Sequence, residues 1–232
     1  MTKTPPATAL QQIRQRRERT LTTIVRDEIA GLIAGGQLQG GDRVNESEIA
    51  ARLGVSRGPV REACRSLEEA GLLVSAVNLG VFVREMTLDD ARQLYEVRGA
   101  LSGLIGRLAA QNMDAPALAR LEKLVKSMEA TAKRNDISRY YELNLQFHDA
   151  LLQLAENQVL AGMYLTTVNQ THLFRRRGLV HKGSLQASND EHRVILQALA
   201  RHDPDAAARA LEAHVAKGWE RLAEAGEAGA SA

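Results

Sequence analysis

Between Glu46 and Leu73 the sequence ESEIAARLGVSRGPVREACRSLEEAGLL holds two helical apolar patterns of different phase, separated by a glycine. Ile49, Ala50 and Leu53 form the first, Val60, Ala63, Cys64 and Leu67 the second, and Gly54 breaks the register between them. Such a pattern requires two short helices meeting at a tight corner, a helix-turn-helix. Ala50 is small where the helices approach, Gly54 can take the left-handed conformation at the corner, and Val55 plugs the angle. Ser56 then stands at the N-cap of the second helix, with Arg57 and Arg61 on its outer face. An exposed helix with two arginines one turn apart suits phosphates and guanine edges in a major groove. A helical corner with solvated arginines is the plainer alternative.

The flanking residues favour the first reading. Residues 1–20 read as a disordered basic arm, rich in Thr, Pro, Ala and Gln through residue 12; Arg14, Arg16, Arg17 and Arg19 follow as a basic run that could reach a phosphate backbone or equally be a solvated lead-in to the next helix. Ile24, Val25, Ile29, Leu32 and Ile33 predict an amphipathic helix over 21–33, ended by GGQLQGG. Behind the helix-turn-helix, LLVSAVNLGVFVRE changes to short apolar runs flanking Asn78, Leu79 and Gly80, a two-stranded hairpin. A hairpin in that place is a wing. Its tip would approach the minor groove or backbone, with Gly80 permitting close approach and Arg84 near a phosphate. Residues 21–85 are therefore expected to form a winged helix-turn-helix DNA-binding domain.

Bulk charge adds little. The net charge is +2; residues 1–85 hold 12 Lys and Arg against 10 Asp and Glu, and residues 86–232 hold 18 against 18. Any DNA contact must come from local placement. At 232 residues two domains are expected, and 44% hydrophobic content supplies two cores. Aromatics at 3% amid abundant Ala and Leu favour helices. The single cysteine, Cys64, excludes a disulfide within the chain and reads as a small core residue. The N-terminus lacks the apolar core of a signal peptide, and no stretch approaches the roughly 18 apolar residues of a membrane span. A cytoplasmic protein without membrane contact is expected.

From REMTLDD onward the period is helical throughout. Thr87 looks like an N-cap, so a second domain is expected over 86–224, with helices at 88–112, 115–134, 136–155, 157–176, 184–201 and 203–224 and a flexible tail at 225–232. The fold class is thus mainly α: a winged helix-turn-helix followed by an all-α bundle. His148, His192 and His214 fall mid-helix on three different helices, and Asn144 precedes His148 by one turn. Donors spread over several helices are how a bundle surrounds a metal. From spacing alone, histidines satisfied by hydrogen bonds are the commoner outcome. His172, His181 and His202 fall in loop-like or helix-end positions.

The stretch GGDRVNESEIAARLGVSRGPVREACRSLEEAGLLVSAVNLGVFV resembles the winged-helix domain of GntR transcription regulators over its whole length, including Gly-Val-Ser-Arg-x-Pro-Val-Arg-Glu. The resemblance implies DNA contacts by Ser56, Arg57, Gly58, Arg61 and, at the wing, Gly80. Gly58 departs, since relatives usually carry Thr there, and loss of that hydroxyl would alter which operator is read. Residues 87–224 look like the all-helical FCD effector domain of the FadR-type branch. Its metal-binding members carry Asp-x-x-x-His and two later histidines. The matching positions here are Asn144, His148, His192 and His214, with Asn144 replacing a charged ligand by a neutral one. The implied cofactor is a divalent metal, zinc first, with nickel or manganese behind. Arg98 matches an arginine that the subgroup often uses near its ligand cavity; pairing with Glu96 or another acid is the alternative. Ser102 stands where many relatives have Glu, and one arginine of Arg175, Arg176 and Arg177 could face the cavity or all three could be solvated.

These features imply a homodimeric, sequence-specific regulator and not an enzyme. The expected activity is repression of double-stranded operator DNA, released by a small organic acid bound at or near the metal with Arg98 assisting. The rival is a metal-dependent, hydrolase-like enzyme using the His cluster. Against it, there is no H-E-x-x-H motif and no clearly placed general base, although Asp149 and Glu191 neighbour the candidate ligands.

Overall fold

The structure is a computed structural model that describes residues 9–175 and 184–230, with side chains described at 21–33, 35–171 and 184–224. The chain divides into two compact units between Met86 and Thr87. No described helix is long and apolar enough to cross a membrane.

The first unit runs α1 (Ala9–Ala34), β1 (Arg43–Val44), α2 (Glu46–Leu53), α3 (Arg57–Glu69), β2 (Leu73–Ala76) and β3 (Gly80–Val83). At the corner Gly54 takes φ 65° and ψ 31°, closing α2 in the left-handed conformation, and Val55 N donates to Ala50 O at 3.0 Å. Asn45 caps α2 by accepting from Ser47 N and Glu48 N. Val25, Ile29, Leu32 and Ile33 of α1 and Val60, Ala63, Cys64 and Leu67 of α3 are buried where the two helices pack. Each of the larger of these side chains contributes roughly 1.5–3 kcal/mol relative to exposure.

Several details depart from the sequence reading. α1 starts at Ala9, so residues 9–20 of the expected disordered arm are helical; no Gly or Pro interrupts the chain from Ala7 to Ala30. The side chains of Arg14, Arg16, Arg17 and Arg19 lie outside the described ones. Ile24 is 55% exposed and so lies off the apolar face of its helix. The expected hairpin is a three-stranded antiparallel sheet in the order β1-β3-β2, because Arg43 and Val44 pair with Phe82 and Val81.

The second unit contains, among the described residues, α4 (Leu88–Gln111), α5 (Ala115–Lys133), α6 (Ile137–Leu154), α7 (Gln158–Arg175), α8 (Ser184–Ala200) and α9 (Pro204–Ala230). Thr87 opens α4 with a capping box: its Oγ1 accepts from Asp90 N at 3.1 Å while its N donates to Asp90 Oδ2 at 2.9 Å. Asp114, Asp136, Asn157 and Asp203 cap the following turns by accepting from Ala117, Arg139, Leu160 and Ala206 N. α4 and α9 form the most extensive helix pair. Their backbones approach so closely that a Cβ on Gly106 would stand 2.7 Å from Ala207 O. Leu121, Met128, Tyr140, Phe147, Leu151, Ile195, Leu199 and Leu211 fill the core. α9 continues to Ala230, so the tail expected to be flexible from residue 225 is helical to that point; its alanines favour helix and outnumber Gly226 and Gly229.

Candidate DNA-reading surface and buried histidine cluster

The apolar face of α3 is committed to the core, which leaves Ser56, Arg57, Gly58 and Arg61 outside; all four are exposed. Ser56 holds the extended N-cap backbone, φ −73° and ψ 165°, but its hydroxyl makes no capping bond. Arg61 Nε lies 3.5 Å from Glu46 Oε2, at the start of α2, with its side chain 65% exposed, a solvated pair that leaves the guanidinium open to a ligand. At the wing, Asn78 (φ 62°) and Gly80 (φ 113°) make the turn, and Arg84 is exposed beyond it. Behind this surface, burial, reinforced by Glu46 and Glu68, pushes the Cys64 thiol up to about 11.

In the second unit α6, α8 and α9 bring together His148, His192 and His214. The three are buried, and a ligand nitrogen from each lies within 4.8 Å of the others. The His192 ring is 4.5 Å from that of His214 and 4.8 Å from Phe147, which closes one side with an apolar edge. Asn144 is buried one turn before His148 on α6, on the same helical face.

A second layer fixes the cluster. His214 Nδ1 lies 2.7 Å from Glu191 Oε2, and Glu191 receives two hydrogen bonds from Arg221, at 2.7 and 3.1 Å. Burial drives the His214 pKa down; Glu191 opposes this, while Arg221 and Arg98 push it further down, and the net shift is downward. A neutral imidazole donating Nδ1–H to Glu191 presents the Nε2 lone pair as a ligand, the arrangement typical of metal-binding histidines. Burial pushes the Glu191 carboxyl up, but the hydrogen bonds from His214 and Arg221 more than offset it, and its pKa falls below the ordinary carboxylate value. Glu191 is thus an orienting anion rather than a base, and Asp149 is exposed on the outside of α6.

Arg98 does not pair with Glu96, which bonds to Arg92 instead. Its side chain turns inward: it is 5% exposed, its guanidinium carbon lies 4.0 Å over the Tyr95 ring, and Nη1 donates to Thr171 Oγ1 at 3.5 Å. Ser102, one turn along α4, is 2% exposed, and its Oγ finds no hydrogen-bond partner among the described residues. Sequence reasoning missed Asn189. It is fully buried one turn before His192, with neither Oδ1 nor Nδ2 bonded among the described residues. Its spacing of three from His192 is the signal that could have found it. His202 is exposed at the α8–α9 turn with φ 49°. The side chains of His172, His181 and Arg175 to Arg177 lie outside the described ones.

Comparison with known proteins identifies the family. Residues 21–83 match the family model described as bacterial regulatory proteins, gntR family, and residues 93–217 match the FCD domain. The chain belongs to the GntR family. Among its GntR relatives, the probable D-xylose utilization operon transcriptional repressor of Paenarthrobacter nicotinovorans is 36% identical over 200 residues, covering 85% of this chain and 86% of the relative. The Nta operon transcriptional regulator of Aminobacter aminovorans is 30% identical over 79% of this chain and 86% of its own. Among solved structures, McbR/YncC of E. coli shares the fold at 21% identity, with a TM-score of 0.77 over 88% of this chain and 97% of that one. The gntR match spans Ser56 to Gly80 and the FCD match spans Arg98 and all three clustered histidines. The protein is a transcriptional regulator with a GntR winged helix and an FCD domain.

Proposed function

We propose that this GntR-family protein acts in the cytoplasm as a homodimeric repressor, and that a small organic acid bound in its FCD domain releases it from operator DNA. The observation that carries the proposal is the buried set of three imidazoles, with nitrogens within 4.8 Å of one another and Arg98 turned inward from a neighbouring helix. Buried cationic and imidazole groups attract a carboxylate strongly because little water screens them. His148, His192 and His214 fit a divalent cation, zinc before nickel or manganese, with Asn144 as a neutral oxygen donor. A cation held there would supply positive charge that favours an anionic effector. Arg98, Ser102 and Asn189 then orient the rest of the acid.

At the other end of the chain, Ser56, Arg57, Gly58 and Arg61 read the major groove while Gly80 sits at the wing. Two copies on a two-fold axis read half-sites roughly 34 Å apart. Repression is the sign of control suggested by the Paenarthrobacter relative, which is named a repressor. An enzymatic role is disfavoured by Glu191, whose carboxylate is held by Arg221 and His214 and has no freedom to take a proton.

Fluorescence anisotropy with operator DNA and metal-loaded protein tests the proposal across a panel of small carboxylic acids. The expected result is a 5- to 150-fold loss of DNA affinity with one acid, equivalent to about 1–3 kcal/mol of coupling. Equal affinity with every acid would remove the ligand response.

A further inference from the structure

The sequence places Gly80 at the wing as a point of close approach to DNA. In the structure a Cβ added there would stand 3.1 Å from Arg43 Nε and 3.3 Å from Arg43 Nη2. The positive φ of Gly80 and the passage of this guanidinium both call for glycine at one position. Arg43 lies on β1, beside β3, with its side chain exposed. Arg26, Arg52, Arg61 and Arg65 of the same unit each pair with a carboxylate, whereas Arg43, like Arg57 and Arg84, forms no ion pair among the described residues.

Its surroundings connect it to the recognition helix. Arg43, Asn45, Glu46, Gly80 and Val81 line a cleft of about 530 Å³. Glu46 is also the ion partner of Arg61. One carboxylate therefore joins the wing cleft to the outer face of α3, and Arg43 and Arg61 belong to one continuous surface. Of the two acids that line this cleft, Glu46 is engaged by Arg61 and Glu48 forms no ion pair with Arg43, so the charge of Arg43 is left for an incoming anion.

We infer that Arg43 is a phosphate-contacting residue of the wing, presented across Gly80, and that its ligand is the DNA backbone. This rests on the DNA-reading proposal above. A guanidinium offers paired donors matched to phosphate oxygens, and a backbone contact carries no sequence preference. Each phosphate neutralised on B-DNA releases counterions, which adds about 0.9 to the magnitude of the slope of log affinity against log salt.

The test titrates full-length protein into a fluorescein-labelled duplex of random sequence at salt concentrations from about 50 to 200 mM. Arg43→Gln is expected to reduce the slope by about 1.8 for the proposed dimer, about 0.9 from each protomer, while leaving the circular dichroism melt unchanged, because the side chain is exposed. Arg43→Lys keeps the charge and is expected to keep the slope. An Arg43→Gln slope equal to wild type, beside a reduced slope for Arg57→Ala/Arg61→Ala, overturns this inference and leaves DNA reading standing. Absence of wild-type binding to the duplex at every salt concentration overturns both.

Discussion

Replacing Glu191 with alanine strips the anion from the centre of the helical domain. Glu191 and Arg221 are only 10% and 15% exposed, and the pair is bidentate, so the loss leaves a guanidinium enclosed without a counter-charge and removes the acceptor from His214 Nδ1. Breaking a buried pair from one side costs about 3–5 kcal/mol. For a domain of this size that corresponds to a Tm lowered by about 6–20 °C, at roughly 2–4 °C per kcal/mol. The readout is built in. Trp219 is the only tryptophan, and its ring lies 5.7 Å from that of Tyr95 in the same unit, so its fluorescence follows unfolding of this domain. Urea denaturation followed by that signal measures the change in full-length protein. The Glu191→Leu/Arg221→Leu double variant is expected to recover most of the loss, since apolar replacement of a buried pair is often neutral or stabilising. A loss under about 1 kcal/mol for the single variant, or a double variant as unstable as the two singles summed, refutes the reasoning.

Gly106→Ala drives a Cβ to 2.7 Å from a backbone oxygen of α9 and is expected to destabilise by about 1–3 kcal/mol despite alanine's better helix propensity. Gly103→Ala first meets the carboxylate end of Glu212, a side chain able to swing away, and is expected to cost less; the same Trp219 melts rank the two. Asn189→Leu removes a buried amide that has no partner among the described residues and should raise the Tm, by up to about 1–3 kcal/mol of stability; a lowered Tm argues against that state of the amide. Cys64 has its thiol pKa raised from 9.0 to about 11, so native protein should resist iodoacetamide at neutral pH and react once unfolded. Because the folded value is the higher one, the stability tied to the neutral thiol is complete below pH 9 and is lost as pH rises toward about 11.

The corner at Gly54 was readable because one residue had to satisfy two helical phases, and left-handed backbone was the way to do it. The cap at Thr87 was readable because it acts within three residues of itself; Asp114, Asp136 and Asp203 cap their helices in the same local way. What stayed hidden depends on long-range approach. β1 is two residues long, too short to show a period, and exists only because β3 passes beside it. The Glu191, His214 and Arg221 arrangement joins residues 23 and 30 positions apart, and although Glu191 stands beside His192 in sequence, nothing local shows that it faces His214 and Arg221. For Arg98 the residues alone left both outcomes open, and only the family resemblance favoured an inward side chain. The near-neighbour Glu96 was the plain sequence partner, yet packing against Tyr95 and Thr171 carried the guanidinium inward.

The proposed control of transcription rests most directly on α3 reading duplex DNA. Selection from a randomised duplex library, followed by sequencing of the bound fraction, measures this with no operator specified in advance. Wild-type protein is predicted to enrich a palindrome whose half-sites lie about one helical turn apart, and Arg57→Ala/Arg61→Ala to enrich none. Equal enrichment by the two proteins, or no enrichment by wild type, would contradict it.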